Sequence, residues 1–422
     1  MARGISSQLT GWLPGALPGL LSSAAQALDA RGGIRAASYL ARTWMDDGSC
    51  ATSEIPAPRL SLGLATKVAA DEAFRTLMVA LANVPSRDGL CAVRDELAQA
   101  CDLYERNGWL DDARGYHQTP PALTSPRVSH AHSWGIDFDH LQFVSGYEPH
   151  AADPGRDRWM SYKPCQSGHA WVLRHRGKPR PWLVCVHGYR MGFPLADFHA
   201  FGVERLHDEL GFNIVMPTLP LHGDRAIGVT SGDGFFTSQF MDTVHAEAQA
   251  IWDLRRILEW VRGQEPVSIG VYGISLGAYS TALLAGFEHD LDCVIAGMPM
   301  VCLPTLLAEH APRRLWRTAE RVGLGIDDVI RALRVVSPLA LQPRTSPDRL
   351  NIYGALADRL VPSSHLNSLW EHWRRPSLEW FEGTHLSFAW ESAVDELVLR
   401  ALSRSGMLEA SRASGTPLDE AA

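Results

Sequence analysis

A five-residue segment near the middle of the chain, Gly-Ile-Ser-Leu-Gly at residues 273–277, constrains the fold more than any other feature. It joins a β-branched run, Val267 to Tyr272, to an Ala- and Leu-rich stretch of helical composition. The two glycines allow a strand and the following helix to approach closely, while the serine between them occupies a sharp turn. The segment therefore predicts a strand, a tight turn and a helix, with the hydroxyl of Ser275 projecting above a sheet.

From about Asp139 onward, short apolar runs alternate with longer amphipathic stretches, which predicts an α/β fold with a mostly parallel sheet and crossover helices. The predicted strands lie near residues 141–147, 169–174, 182–186, 212–217, 267–272, 294–298, 350–353 and 377–381. The predicted helices between them lie near residues 194–210, 237–262, 276–287 and 363–373. Such sheets bind ligands at the carboxyl ends of their strands, so residues just after strands are the candidates for a site.

Ser275 is the candidate nucleophile, because a strained turn between strand and helix exposes its hydroxyl. The alternative is that Ser275 only caps the helix, a position that favours serine. A cap would account for the serine but not for Gly273 and Gly277 on either side of it.

The position of each aspartate relative to a predicted strand distinguishes the candidates for the catalytic acid. Asp358 follows a predicted strand and so lies at the carboxyl edge, whereas Asp292 and Asp348 precede strands and belong at the opposite edge. Asp327 and Asp328 fit the first turn of a helix better.

His385 is the candidate base, because it follows the last strand and a glycine turn and completes the chain order Ser, Asp, His. His365 and His372 also follow the acid, but they share one helix face, which is more typical of a packed or solvated position.

Backbone N–H groups are the donors that a tetrahedral intermediate needs at its oxygen. The buried run from Trp182 to Val186 leads into His187 and Gly188, so we predict an oxyanion hole formed by the amides of Tyr189 and Leu276. His187 is interpreted as a residue that holds this loop by hydrogen bonds. Arg190 is predicted to contact substrate or, alternatively, to pair with an acid in an overlying segment.

Four motifs together resemble the α/β-hydrolase family over about residues 139–402: the strand followed by His-Gly, the G-x-S-x-G turn, G-x-x-x-D-x-x-V-P at 354–362 and Gly-x-His at 383–385. Leu219 to Arg225 resembles a loop that shapes the pocket in that family, so His222 is a second predicted substrate contact. The resemblance implies an eight-stranded, mostly parallel sheet, hydrolysis of an ester or related bond, a Ser275, Asp358 and His385 triad, and no cofactor. Ser275 argues against the dehalogenase and epoxide hydrolase branches, and Ala278 argues against the prolyl-peptidase branch.

Composition excludes other classes. A formal net charge of −8 with scattered arginines gives no basic face for nucleic acid. Seven irregularly spaced cysteines predict reduced thiols, with Cys185 and Cys293 in the core. The apolar segment from Gly11 to Leu28 is interrupted by Gly and Pro, so it predicts neither a signal peptide nor a membrane span, and a cytoplasmic protein is expected. Contact of this segment with a membrane surface is the less favoured alternative.

The chain divides by pattern into four parts. Residues 1–135 are expected to form a helical N-terminal region, with helices near 64–84 and 90–104 and a loop over 115–134. The sequence pattern does not indicate the role of this region. The core is expected at 136–298 and 348–402, with a helical lid insertion at 299–347 and a flexible tail at 403–422. The histidines of the loop, with Asp137, Asp139 and His140, lack a known metal-ligand spacing, so no metal is predicted.

These features predict a serine hydrolase of a small-molecule carboxylic ester. Thioester or amide hydrolysis and acyl transfer use the same residues and stay open, as does a catalytically silent binding protein. The oligomeric state is also open, with a homodimer as one option. Six apolar residues of the insertion either line an apolar pocket or pack the lid on the core: Leu306, Leu307, Leu315, Trp316, Leu324 and Leu333.

Overall fold

The fold is described from a computed structural model, which covers residues 32–41, 43, 55–81 and 84–414. The apolar segment from Gly11 to Leu28 lies outside these residues. The strands are β1 Arg127–Ser133, β2 Ile136–Val144, β3 Ser167–Leu173, β4 Trp182–Val186, β5 Asn213–Pro217, β6 Ile269–Ile274, β7 Cys293–Gly297, β8 Leu350–Ala355 and β9 Ser377–Phe381. They form one sheet in the order β1-β2-β3-β5-β4-β6-β7-β8-β9.

Helices flank this sheet. They are α1 Leu62–Leu81, α2 Arg87–Arg106, α3 Arg156–Ser161, α4 Pro194–Ala200, α5 Phe240–Arg262, α6 Leu276–Leu284, α7 Leu303–His310, α8 Arg313–Arg321, α9 Ile326–Leu333, α10 Ser363–His372, α11 Ser392–Arg404 and α12 Met407–Ser414. Residues 32–41 are also helical. A π-type turn spans Glu204–Glu209, and 3₁₀ turns lie at Ala113–Tyr116, Lys163–Gln166, Gly223–Arg225, Arg334–Val336, Pro338–Ala340, Pro347–Arg349 and Ser387–Trp390.

The predicted α/β class is confirmed, and the sheet is parallel from β5 through β4 to β9. The predicted number of eight strands is wrong, because β1 adds a ninth, antiparallel strand beside β2. None of the side chains in its sequence, Arg-Val-Ser-His-Ala-His-Ser, is buried. An edge strand can do without an apolar face, because backbone hydrogen bonds to its one neighbour hold it in the sheet. Residues 127–133 therefore belong to the sheet and not to the loop predicted over 115–134.

Two apolar layers hold the helices on the sheet. The central strands β4, β6, β7 and β8 are buried along their whole length, as expected for strands covered on both faces. One layer joins α2, α5, α6 and the helices of the insertion, and the other joins α4, α11 and α12. The six apolar residues of the insertion all lie in or against the first layer, so packing accounts for them.

Segments near both ends of the described chain pack on the core. Helix α2 starts at an N-cap, where the Ser86 side chain accepts a hydrogen bond from the backbone N–H of Gly89, and its apolar face enters the main core. At the other end, α12 buries Met407 and Leu408, so residues 407–414 are helical where a flexible tail was predicted. No helix among the described residues is long and apolar enough to cross a membrane.

Candidate active site

Ser275 occupies the turn between β6 and α6 in a strained backbone conformation. Its φ of 55° and ψ of −113° are unfavourable for a residue with a side chain. The turn is held because the backbone N–H of Ser275 donates to the carbonyl oxygen of Gly297 on β7, at 2.8 Å. Strain of this kind persists only where the surroundings enforce it, and here it places the hydroxyl at the carboxyl edge of the sheet.

The glycines on either side of Ser275 are required by close backbone contacts. A Cβ atom built on Gly277 would overlap the carbonyl oxygen of Val186 on β4, and one on Gly273 would overlap the carbonyl oxygen of Gly277. Helix α6 can therefore lie against β4 only if residue 277 lacks a side chain, and against β6 only if residue 273 lacks one.

Replacement of Gly277 by alanine is expected to destabilise the fold by about 3 kcal/mol, because backbone atoms on a central strand cannot move aside. Urea unfolding followed by circular dichroism measures this change. The control is Gly325→Ala, whose added Cβ would meet its nearest neighbour, Asp328 Oδ2, at an ordinary 3.4 Å. Equal unfolding midpoints for the two variants would contradict the packing argument.

The three residues singled out as nucleophile, acid and base lie in hydrogen-bonding contact. His385 Nε2 is 3.0 Å from Ser275 Oγ, and His385 Nδ1 is 2.7 Å from Asp358 Oδ2. The other oxygen, Asp358 Oδ1, accepts the backbone N–H groups of Leu360 and Val361, both at 2.8 Å. With Nδ1–H donating to the carboxylate, the free Nε2 lone pair points at the serine hydroxyl.

Burial and nearby negative charge shift the pKa of His385 in opposite directions. Burial lowers the pKa of His385, but the charge of Asp358, the hydrogen bond to it and the charge of Asp71 together raise the pKa above its ordinary value. Ser275 and His385 are only 8% and 7% exposed. A proton transfer between them would therefore take place largely shielded from bulk water, where fixed charges act strongly.

The loop after β4 passes directly beside the serine. A Cβ atom on Gly188 would lie 3.5 Å from Ser275 Cβ and 3.4 Å from the carbonyl oxygen of Ile274. Within the described part of the chain, the backbone N–H groups of Tyr189 and Leu276 donate to no protein acceptor. The role of these two amides as donors to an oxyanion stays a prediction.

His187 connects this loop to its neighbour. Its Nδ1–H donates to the carbonyl oxygen of Gly188 at 2.8 Å, and its Nε2 accepts the backbone N–H of Leu219 at 3.0 Å. Burial lowers the pKa of His187 to about 4, so the ring is neutral and can donate at one nitrogen and accept at the other. The ring makes no hydrogen bond to Ser275.

The two predicted substrate contacts differ in outcome. Arg190 forms an ion pair with Asp233 at 2.9 Å and lies over the ring of Tyr189 at 5.1 Å. The acid that it pairs with precedes α5 and is not in the insertion. Contact between Arg190 and substrate stays a prediction.

His222 is completely buried, which contradicts its predicted role as a substrate contact. Its Nδ1–H donates to the carbonyl oxygen of Pro220 at 2.9 Å, and its ring packs edge-on against those of His187 and Tyr189. Gly232 covers the ring, since a Cβ there would lie 2.9 Å from His222 Nε2. The ring thus supports the loops behind the site and presents no surface to a ligand.

The alternative candidates for the base and the acid have other hydrogen-bond partners. His365 Nδ1 accepts the backbone N–H of Val301 at 3.2 Å, and His372 Nε2–H donates to the carbonyl oxygen of Leu341 at 2.8 Å. Asp292 accepts the backbone N–H of Ile269, at the amino end of β6. None of them contacts the serine.

A further carboxylate, which the sequence did not single out, comes from α1. Asp71 Oδ2 accepts the backbone N–H groups of His385 and Arg359, at 3.0 and 3.1 Å, and Asp71 Oδ1 accepts that of Leu386 at 3.0 Å. One signal was available: helical spacing places Asp71 on the same face as Leu64 and Val68, where an acid is unexpected.

Among the described residues, one group has the composition and spacing of a metal site. The ligand atoms of His140, His169 and Asp224 lie within 4.8 Å of one another. His140 Nε2 and His169 Nδ1 are 3.0 Å apart and share a hydrogen bond, and His169 Nε2 is 2.9 Å from Ser167 Oγ. These contacts account for the approach of the rings, and the group does not contact the serine.

Comparison with known proteins gives relatives without an assigned role. No protein-family model matches the chain. Two Mycobacterium tuberculosis proteins, named uncharacterized protein MT2702 (strain CDC 1551 / Oshkosh) and uncharacterized protein Rv2627c (strain ATCC 25618 / H37Rv), are each 38% identical over 383 residues. The match covers 89% of this chain and 90% of each relative.

Solved structures of similar shape include an acetyl xylan esterase from Paenibacillus sp. R4, with 18% identity and a TM-score of 0.49. The similarity covers 72% of this chain and 98% of that one. Acetyl xylan esterase 1 from Thermoanaerobacterium sp. JW/SL YS485 has 13% identity and a TM-score of 0.46, over 71% of this chain and 98% of its own.

Proposed function

We propose that the chain, which belongs to one family with two uncharacterized Mycobacterium tuberculosis proteins, is a serine hydrolase of the α/β-hydrolase family that cleaves a carboxylic ester through an acyl-enzyme intermediate. The observation that supports the proposal best is the continuous hydrogen-bonded line from Asp358 through His385 to Ser275, with distances of 2.7 and 3.0 Å. It ends on a serine held in a strained turn.

Acylation begins when Ser275 Oγ attacks the ester carbonyl and His385 Nε2 takes the hydroxyl proton. Asp358 keeps the proton on Nδ1 and stabilises the imidazolium that forms. The oxygen of the tetrahedral intermediate becomes negative, and the N–H groups of Tyr189 and Leu276 are the proposed donors to it. His385 then gives its proton to the departing alcohol oxygen, which leaves the acyl group on the serine.

Deacylation repeats these steps with water as the nucleophile. His385 takes a proton from the water as it attacks the acyl carbon, and returns that proton to Ser275 Oγ when the acid is released. No cofactor is needed for either half of the reaction.

We also propose that the insertion at 299–347 covers the site. His310, at the end of α7, donates from Nε2 to the carbonyl oxygen of Leu360 at 2.7 Å. Leu360 lies two residues after Asp358, so the insertion contacts the loop that carries the acid. His365 holds the start of the insertion through the backbone N–H of Val301.

Two assays test the proposed function. The purified protein is expected to hydrolyse p-nitrophenyl esters of some acyl chain length, with an initial burst if deacylation is slow. A fluorophosphonate probe is expected to label one serine, which peptide mapping identifies as Ser275.

Absence of both hydrolysis and labelling would overturn the proposal in favour of a catalytically silent binding protein. Labelling at Ser275 without hydrolysis of any ester would instead favour a thioesterase, an amidase or an acyltransferase. Thioester and amide substrates, with and without an added alcohol acceptor, separate these three.

A further inference from the structure

Helix α1 brings a buried carboxylate to the backbone of the two loops that carry the acid and the base. We infer that Asp71 is a positioning residue of the active site, through which the N-terminal region completes the site, and this inference rests on the proposed function. It would set the separation of Asp358 and His385 and add a second negative charge that acts on the imidazole ring.

The three hydrogen bonds of Asp71 join loops that are distant in sequence. Its Oδ2 accepts the N–H of Arg359, which follows the acid, and the N–H of His385, the base itself. Its Oδ1 accepts the N–H of Leu386. One rigid carboxylate therefore fixes both loops relative to each other, and charged acceptors form the stronger class of hydrogen bond.

Glu72 strengthens the same attachment. Its side chain is completely buried, and its Oε1 accepts from Arg359 Nε at 3.0 Å while its Oε2 pairs with Arg75 at 2.6 Å. The guanidinium of Arg359 also lies 4.2 Å from the centre of the Tyr39 ring. Adjacent acids on α1 thus hold both the backbone and the side chain of the residue that follows Asp358.

A purely structural role explains the position of Asp71 poorly. Burial, and then the negative charge of Asp358, raise the pKa of Asp71 to about 6, so this environment opposes its charge. An uncharged acceptor would avoid that cost. The charges of Asp358 and Asp71, however, both raise the pKa of His385 and so favour the imidazolium that forms during proton transfer.

The test compares Asp71→Asn with Asp71→Glu, which keeps the charge, and with Asp102→Asn, an exposed acid on α2. Asparagine would turn an N–H group toward backbone donors and remove the charge. We expect kcat/KM of Asp71→Asn to fall roughly 10- to 100-fold, mainly through kcat, as for a small displacement of catalytic groups. Asp71→Glu should recover part of this loss, and Asp102→Asn should match the wild type.

The pH dependence of kcat/KM distinguishes a positioning role of Asp71 from a loss of activity caused by unfolding. The groups that act electrostatically on Asp71 are Asp358 and His385. Removal of the Asp71 charge lowers the pKa of His385, so the acid limb of kcat/KM should move to lower pH in Asp71→Asn but not in Asp71→Glu. Thermal unfolding identifies any variant that fails to fold.

Proton NMR of the His385 ring, assigned with His385→Gln, measures the same titration without substrate. An unchanged His385 titration and an unchanged kcat/KM in folded Asp71→Asn would overturn the inference, as would a loss of activity that only follows the loss of folded protein. If the wild type hydrolyses no ester and takes no probe, the proposed function fails. The NMR titration then still decides whether Asp71 acts on His385.

Discussion

Alanine in place of Ser275 is expected to lower kcat by roughly 10⁴- to 10⁶-fold, because removal of the nucleophile leaves only binding and the oxyanion donors. The fold should be retained, since the loss of one oxygen atom leaves the turn and both flanking glycines unchanged. Alanine in this strained conformation is no worse placed than serine.

Steady-state hydrolysis of the best p-nitrophenyl ester, at enzyme concentrations high enough to detect a slow rate, measures the loss. Ser364→Ala, an exposed serine at the start of α10, is the control and should behave like the wild type. A folded Ser275→Ala protein with more than a tenth of the wild-type kcat would show that the serine is not the nucleophile.

Replacement of Asp358 by asparagine is expected to cost about 10⁴-fold in kcat. The asparagine amide would donate to His385 Nδ1 and move the ring proton to Nε2, where it blocks transfer from the serine. The negative charge is lost as well. Since Asp358 is the strongest influence that raises the pKa of His385, that pKa should fall in the variant.

The direction of the pH effect follows from the form of His385 that reacts. The neutral ring accepts the serine proton, so kcat/KM falls as the pH drops through the pKa of His385. In the wild type this fall lies above the ordinary histidine value, and in Asp358→Asn it should lie at lower pH. Asp348→Asn, at the opposite end of β8, is the matched control. An acid limb that does not move would mean that Asp358 does not set the charge on His385.

Local pattern was sufficient for much of the fold. The turn at Ser275 was predictable because its strand, glycines and helix lie within about twenty consecutive residues. The central strands were predictable because burial on both faces requires continuous apolar runs. The position of Asp358 followed from its place after β8, since carboxyl ends of parallel strands share one edge.

Other features depend on contacts between distant segments. Strand β1 has no apolar face, so its hydrogen bonds to β2, and not its composition, define it. His222 stands in a loop of polar appearance, but three neighbouring aromatic rings and Gly232 enclose it. The partners of Asp71 lie near the opposite end of the chain, and helical spacing alone indicates which face is buried but not what covers it.

The hydrogen bond from His385 to Asp71 joins residues 314 positions apart, so during synthesis α1 is made long before its partners. A ribosome adds about 5–20 residues per second, so α1 emerges roughly 15–60 s before its partners exist. An isolated helix of this length is marginal in water, and its acidic face has nothing to contact during that time. Helix α1 therefore reaches its final contacts only after Arg359, His385 and Leu386 have been made, and loss of either α1 or the segment from 359 to 386 removes the same three hydrogen bonds.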